Sequence, residues 1–97
     1  MSLDSLTDLI PDVYYAVVGY QYFPDNTGDV FIIGCTKVLD RRSRSYIKIT
    51  EGIIFDYLQS IKDIDSPKEF TLKHTVEAES NKHSYSILPR SSWKRLK

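Results

Sequence analysis

Ile33-Gly34-Cys35-Thr36-Lys37-Val38-Leu39-Asp40-Arg41-Arg42-Ser43-Arg44-Ser45-Tyr46 is the stretch on which the fold turns. An apolar β-type run, residues 30–33, breaks at Gly34 and feeds a short basic segment. Read as a helix over residues 37–48, this segment puts Val38, Arg42, Tyr46 and Ile49 on one face, at spacings of four, four and three. Lys37, Arg41, Arg44 and Lys48 fall on another face. Arg42 is thereby set among apolar and aromatic neighbours, where an arginine must be paired or meet a ligand, because an isolated buried charge is costly. The other four bases form a cationic stripe suited to phosphate contacts.

Upstream lies a second β-type run, Val13-Tyr14-Tyr15-Ala16-Val17-Val18. Alternation sends Tyr15, Val17 and Gly19 one way and Tyr14, Ala16, Val18 and Tyr20 the other. Both rows are apolar or aromatic, the pattern of an interior strand covered on two faces. Pro24-Asp25-Asn26-Thr27-Gly28 is a dense turn signal, so this run and residues 29–35 are expected to pair as an antiparallel hairpin. Downstream, Thr50 is a candidate N-cap for a second helix with Ile53, Ile54, Tyr57, Leu58 and Ile61 as its buried stripe. Residues 70–76 read as a third strand, and residues 84–88 as a short fourth strand or an extended tail.

The chain's 97 residues make one domain, 1–97, with an acidic N-terminal segment (1–11) and a basic tail (89–97) that carries Trp93. Apolar (41%) and charged (27%) fractions are those of a folded globular chain, not a disordered one. A single cysteine excludes an internal disulfide and points to a reducing, cytoplasmic setting. No apolar run reaches the length of a membrane span, and the aspartate-rich start does not read as a signal or transit peptide. Net charge is zero, but the charges are blocked: negative over residues 1–36, positive over 37–49, negative over 50–70, positive over 71–97. Local field, not net charge, governs nucleic-acid binding, so neutrality does not exclude it.

The order strand, turn, strand ending in Ile-Gly, then Thr-Lys-x-Leu-x-Arg-Arg on a helix resembles the GIY-YIG nuclease superfamily over residues 12–46. Asp12-Val13-Tyr14 is similar to its first motif and Ile32-Ile33-Gly34 to its second; Asp12 stands where the family has glycine and Ile32 where it has tyrosine. The resemblance implies an α/β (α+β) domain with a small antiparallel sheet of about three strands flanked by helices. It implies a small endonuclease that hydrolyses DNA with Mg²⁺ or Mn²⁺. In that reading Tyr14 is the base, Arg42 the phosphate clamp, Tyr46 a positioning group and Glu79 the metal ligand, with Glu77 its competitor. Lys37, Arg41, Arg44 and Lys48 then bind the nucleic acid.

Each residue also has a plain structural reading. Tyr14 suits a core strand, Arg42 an ion pair with an N-terminal aspartate, Tyr46 packing, and Glu79 a solvated loop. Cys35 with His74 or His83 lacks the spacing of a thiol nucleophile or a zinc site. Trp93 between Arg90 and Lys94 suits either stacking on a base or docking on the domain. Two rivals to the nuclease remain: a nucleic-acid-binding module without turnover, and a protein-interaction or inhibitor domain that uses the acidic N-terminal third.

Overall fold

Residues 40–49 form a strand, not a helix, and this changes the architecture. The computed structural model describes residues 3–25, 28–64 and 69–95. After a single 3₁₀ turn (Leu6–Asp8) the elements are β1 (Tyr14–Asp25), β2 (Gly28–Lys37), β3 (Asp40–Ile49), α1 (Ile53–Ile61), β4 (Phe70–Val76), β5 (His83–Pro89) and a short α2 (Ser92–Arg95). The five strands make one antiparallel sheet in the order β3-β2-β1-β4-β5. The expected sheet of about three strands flanked by helices is therefore wrong. Among the described residues one helix of nine residues packs on a five-stranded sheet. No described helix is long and apolar enough to cross a membrane.

The correction has a physical cause. A four-residue spacing and a two-residue alternation both fit Val38 to Ile49, and burial selects the second. Ile47 and Ile49 are fully buried, while Arg44 and Lys48 are exposed between and beside them. Tyr46-Ile47-Lys48-Ile49-Thr50 is rich in β-branched and aromatic residues, which pack well on a pleated half-buried surface. Only Val38 and Leu39 separate β2 from β3, so the chain turns straight back along β2, pairing Phe31 with Ile49 and Gly34 with Tyr46. A helix over 37–48 would leave that edge of β2 unpaired.

The main core lies on one face of the sheet. Tyr15 and Val17 from β1, Phe31, Ile33 and Cys35 from β2, Ile47 and Ile49 from β3, and Phe70 and Leu72 from β4 converge there. Ile54 and Leu58 of α1 and Leu9 of the N-terminal segment cover them. Each such aliphatic or phenyl side chain taken fully out of water contributes about 1.5–3 kcal/mol. The helix begins after Gly52, whose φ of 97° suits glycine, rather than at Thr50. Of the expected stripe, Ile53 lies outside the core at 57% exposure.

β1 keeps its aromatic residues on the core by means of a bulge. Val17 pairs with Cys35 and Gly19 with Gly34, so Val18 is an extra residue and the facing reverses after it. Gly19 takes φ 149°, a conformation that side chains resist. Tyr20 and Tyr22 consequently join Tyr15 and Val17, where unbroken alternation would have set Tyr20 on the opposite face. At the far end Pro24 pairs with Asp29 and Asp25 with Gly28; of the expected turn, residues 26–27 lie outside the described residues.

Asp29 fastens this hairpin to α1. Its carboxylate accepts from Tyr22 Oη at 2.7 Å and from Gln59 Nε2, with Lys62 Nζ at 3.9 Å. These hydrogen bonds, Tyr22 first and Gln59 second, hold the Asp29 carboxyl below its ordinary value, and the same contact raises the Tyr22 phenol. A depressed carboxyl gives stability that is present above its unfolded value and lost as pH falls through its folded value. Asp29→Ala is thus expected to lower the melting temperature at neutral pH, with the deficit shrinking through the acid carboxylate range. Thermal melts of both proteins at several pH values test this; a deficit independent of pH would contradict it.

Candidate nucleic-acid interface

The strand reading of residues 40–49 rearranges the basic block. Alternation in β3 turns Ser45, Ile47 and Ile49 inward and sends Arg44, Tyr46 and Lys48 out in one row on the opposite face of the sheet. Beside that row, in β2, sits Gly34, cross-strand from Tyr46. A Cβ built on Gly34 would lie 3.4 Å from Tyr46 Cε1 and 3.8 Å from Arg44 Cδ, so both side chains lean across the glycine. The bulge exposes Val18 next to it. Leu3, Val18, Gln21, Ile32, Arg44 and Tyr46 line an open groove of about 340 Å³ around Gly34. It has an apolar floor, an aromatic wall and a guanidinium at its edge.

A second, smaller apolar cluster lies on the same outer face. Trp93, only 7% exposed, is packed on Ala16 and Val38 with Tyr14 at its margin. The guanidinium carbons of Arg41 and Arg90 lie 5.0 and 5.1 Å from the indole centroid. Arg90 also reaches Glu69 at 3.5 Å. Trp93 is therefore docked on the domain. Of the basic tail, residues 96–97 lie outside the described residues.

The residues expected to act on phosphodiesters are spread over the sheet. Arg42 is not buried: its side chain is 92% exposed and pairs locally with Asp40, Nε to Oδ1 at 3.1 Å. The partner is thus two residues away, not an N-terminal aspartate. Tyr14 lies on β1 under the ammonium of Lys73, 5.1 Å from the ring centroid. It lines a separate hollow with Asp12, Lys37 and Asp40. Tyr46 is on β3, two strands from Tyr14, about 10 Å sideways and about 13 Å along the sheet. Glu77 and Glu79 are exposed at the connection between β4 and β5, beyond β1 from the basic row. Among the described residues no three His, Cys, Asp or Glu side chains gather closely enough to share an ion. The residues named for Mg²⁺ or Mn²⁺ do not build one centre.

Of the expected nucleic-acid contacts, Arg44 and Lys48 share the outward row with Tyr46, Arg41 lies over Trp93, and Lys37 belongs to the hollow beside Tyr14. Cys35 is fully buried, and burial first, with the Asp4 charge second, pushes its thiol up to about 12, so it is no nucleophile. The groove residues Leu3, Val18, Ile32 and Gly34 had one sequence signal, a glycine inside a β-type run, which marks a bulge or a close approach. No protein-family model matches the chain, and comparison with curated proteins and with solved structures found no match for it.

Proposed function

We propose that the outer face of β2 and β3 binds single-stranded nucleic acid. The observation that supports this reading is the row Arg44, Tyr46, Lys48 beside the open groove over Gly34. A half-buried tyrosine at the wall of an open groove offers a π-face to an unpaired base, and the flanking Arg44 and Lys48 take its phosphates. A duplex keeps its base faces stacked and has none to offer Tyr46. A base laid in the groove meets Ile32 and Val18 below and Tyr46 at the side. Arg41 extends the cationic track toward the β2–β3 turn. Tyr14, Arg42, Tyr46 and Glu79 do not surround one phosphate, so the reading is one of binding without cleavage.

The test is fluorescence anisotropy with labelled dT and rU oligomers of about 12 nucleotides, a length within ordinary single-strand site sizes. Binding is expected at low salt, with log affinity falling against log salt with a slope of about −2 for three neutralised phosphates. Comparing the dT and rU arms separates DNA from RNA preference. Incubation with Mg²⁺ should leave the oligomers intact. Absence of binding at low salt, or preference for a duplex of equal length, would overturn the proposal; shortened oligomers would restore the nuclease.

A further inference from the structure

The N-terminal segment crosses the sheet as a strap with an anchor at each end. At β3, the Asp4 N–H donates to the Tyr46 carbonyl at 2.8 Å, and Asp4 bridges to Ile47. At β4, everything rests on His74, which is 1% exposed. Its Nδ1 lies 2.8 Å from the Leu9 carbonyl, and its own carbonyl accepts the Asp12 N–H at 2.8 Å. Between the anchors Leu9 is buried in the core, and the Ile10 N–H donates to Tyr15 Oη at 3.0 Å.

The hydrogen bonds fix where the protons are. A carbonyl only accepts, so His74 Nδ1 carries hydrogen. Its Nε2 is then a lone pair in the neutral ring, and His83 Nδ1, 2.8 Å away, must donate to it. The ring centroids are 5.0 Å apart, the separation expected when nitrogens 2.8 Å apart lie on the line between the two rings. A first added proton goes to His83 Nε2 and leaves this relay intact. A second has only His74 Nε2 to occupy, where it confronts the His83 N–H, placing a charge on the buried His74 ring directly beside the imidazolium of the exposed His83.

The surroundings offer no relief. Tyr85 of β5 stacks on His74 at 4.9 Å, and Tyr57 of α1 packs on Phe70 in the same row. Glu77 and Lys82 meet through their main chains at 2.9 Å, Asp12 reaches His74 through its backbone N–H, and Asp56 is exposed. Among the described residues neither imidazole has a carboxylate partner.

We infer that the His74–His83 pair is a proton-operated latch: it holds at most one proton, and a second expels His74 from its site and frees the strap from β4. The open form binds one proton more than the closed form, so acid favours opening. Leu3 lines the groove and Asp4 lies against Tyr46; with the β4 anchor released they are held only at β3, so opening also loosens this wall of the groove and the acid beside the basic row. This last consequence rests on the nucleic-acid reading; the latch does not.

Hydrogen exchange at the Asp4, Ile10 and Asp12 amides, corrected for intrinsic rates, tests the latch between about pH 7.5 and pH 4.5, a range that spans histidine titration. Protection should fall by about tenfold per pH unit once the second proton binds. In His83→Gln the amide can turn its oxygen to a protonated His74, so protection should persist in acid. His83 is exposed, and the variant should fold. Protection that is flat in the wild type, or lost equally in His83→Gln, would overturn the latch, as would ¹⁵N spectra showing His74 Nδ1 without hydrogen. These readouts need no ligand and so fail separately from nucleic-acid binding. Affinity for dT oligomers should rise in acid for the wild type more than for His83→Gln; equal rises would detach the latch from the groove.

Discussion

Phe31→Ala is expected to remove about 3–5 kcal/mol of stability, the usual loss when a buried phenyl is deleted and its cavity only partly closes. Phe31 is fully buried at the centre of β2. Three aromatic rings surround it: Tyr20 at 5.3 Å and 75°, Tyr22 at 5.1 Å and 40°, and Phe55 of α1 at 5.5 Å and 75°. Offset and edge-to-face pairs of this kind add about 0.5–1.5 kcal/mol each beyond area burial. The cluster joins β1, β2 and α1, so no single neighbour can move into the space without breaking another contact. A domain of this size has roughly 5–15 kcal/mol in all, which leaves the variant near its folding limit. Urea unfolding with a shared slope gives the difference. Phe23→Ala, at a position 44% exposed, is the control and should stay within about 0.5 kcal/mol of wild type. A loss below about 1 kcal/mol for Phe31→Ala would mean that the aromatic cluster is not the centre of the core.

Much of this core could be read from residue order, and the part that could not has a definite cause. The β1–β2 hairpin follows from two aromatic and β-branched runs around a turn signal. The apolar stripe of α1 and the alternation of residues 70–76 follow from their periods. Residues 84–88, open between strand and tail, belong to the edge strand β5, paired along its length with β4. In β3 the charges obscure the alternation of the isoleucines. Lys37, Arg41, Arg44 and Lys48 suggested a helix stripe, whereas Ile47 and Ile49, two residues apart and so not on one helix face, carried the true period. That error also misplaced Arg42, which is solvated beside Asp40 instead of enclosed with Val38 and Tyr46. The bulge after Val17 is marked only by Gly19, and one inserted residue reverses every later side chain in β1. Gly34 signals a close approach but not which side chain makes it, and the Tyr46 ring that lies across it comes from a neighbouring strand. Long-range pairing decides such features, and a single chain read along its length does not contain the register.

The positive block survived the change of secondary structure because outward alternation in a strand also collects charges on one face, and this makes Tyr46 the decisive residue of the proposed interface. Tyr46→Ala is expected to weaken oligonucleotide binding by about 1–3 kcal/mol, roughly 5- to 150-fold, the range for losing one base–aromatic stack. Tyr46→Phe keeps the ring over Gly34 and should bind nearly as the wild type does, since stacking uses the π-face and not the hydroxyl. Arg44→Ala and Lys48→Ala act differently: each removes a phosphate contact, so the salt slope on single strands should become shallower by about 0.7. Tyr46→Ala should leave that slope unchanged. Anisotropy titrations of the four variants over a salt series therefore separate stacking from charge. Gly34→Leu provides an independent approach from the opposite strand. Its side chain would extend from a Cβ already 3.4 Å from the Tyr46 ring and would displace the ring or fill the groove. Binding should fall in that variant with the salt slope retained, because every base is still present. If Tyr46→Ala changed only the slope, or if Gly34→Leu bound as tightly as the wild type, the groove would have no part in binding and the cationic row alone would account for it.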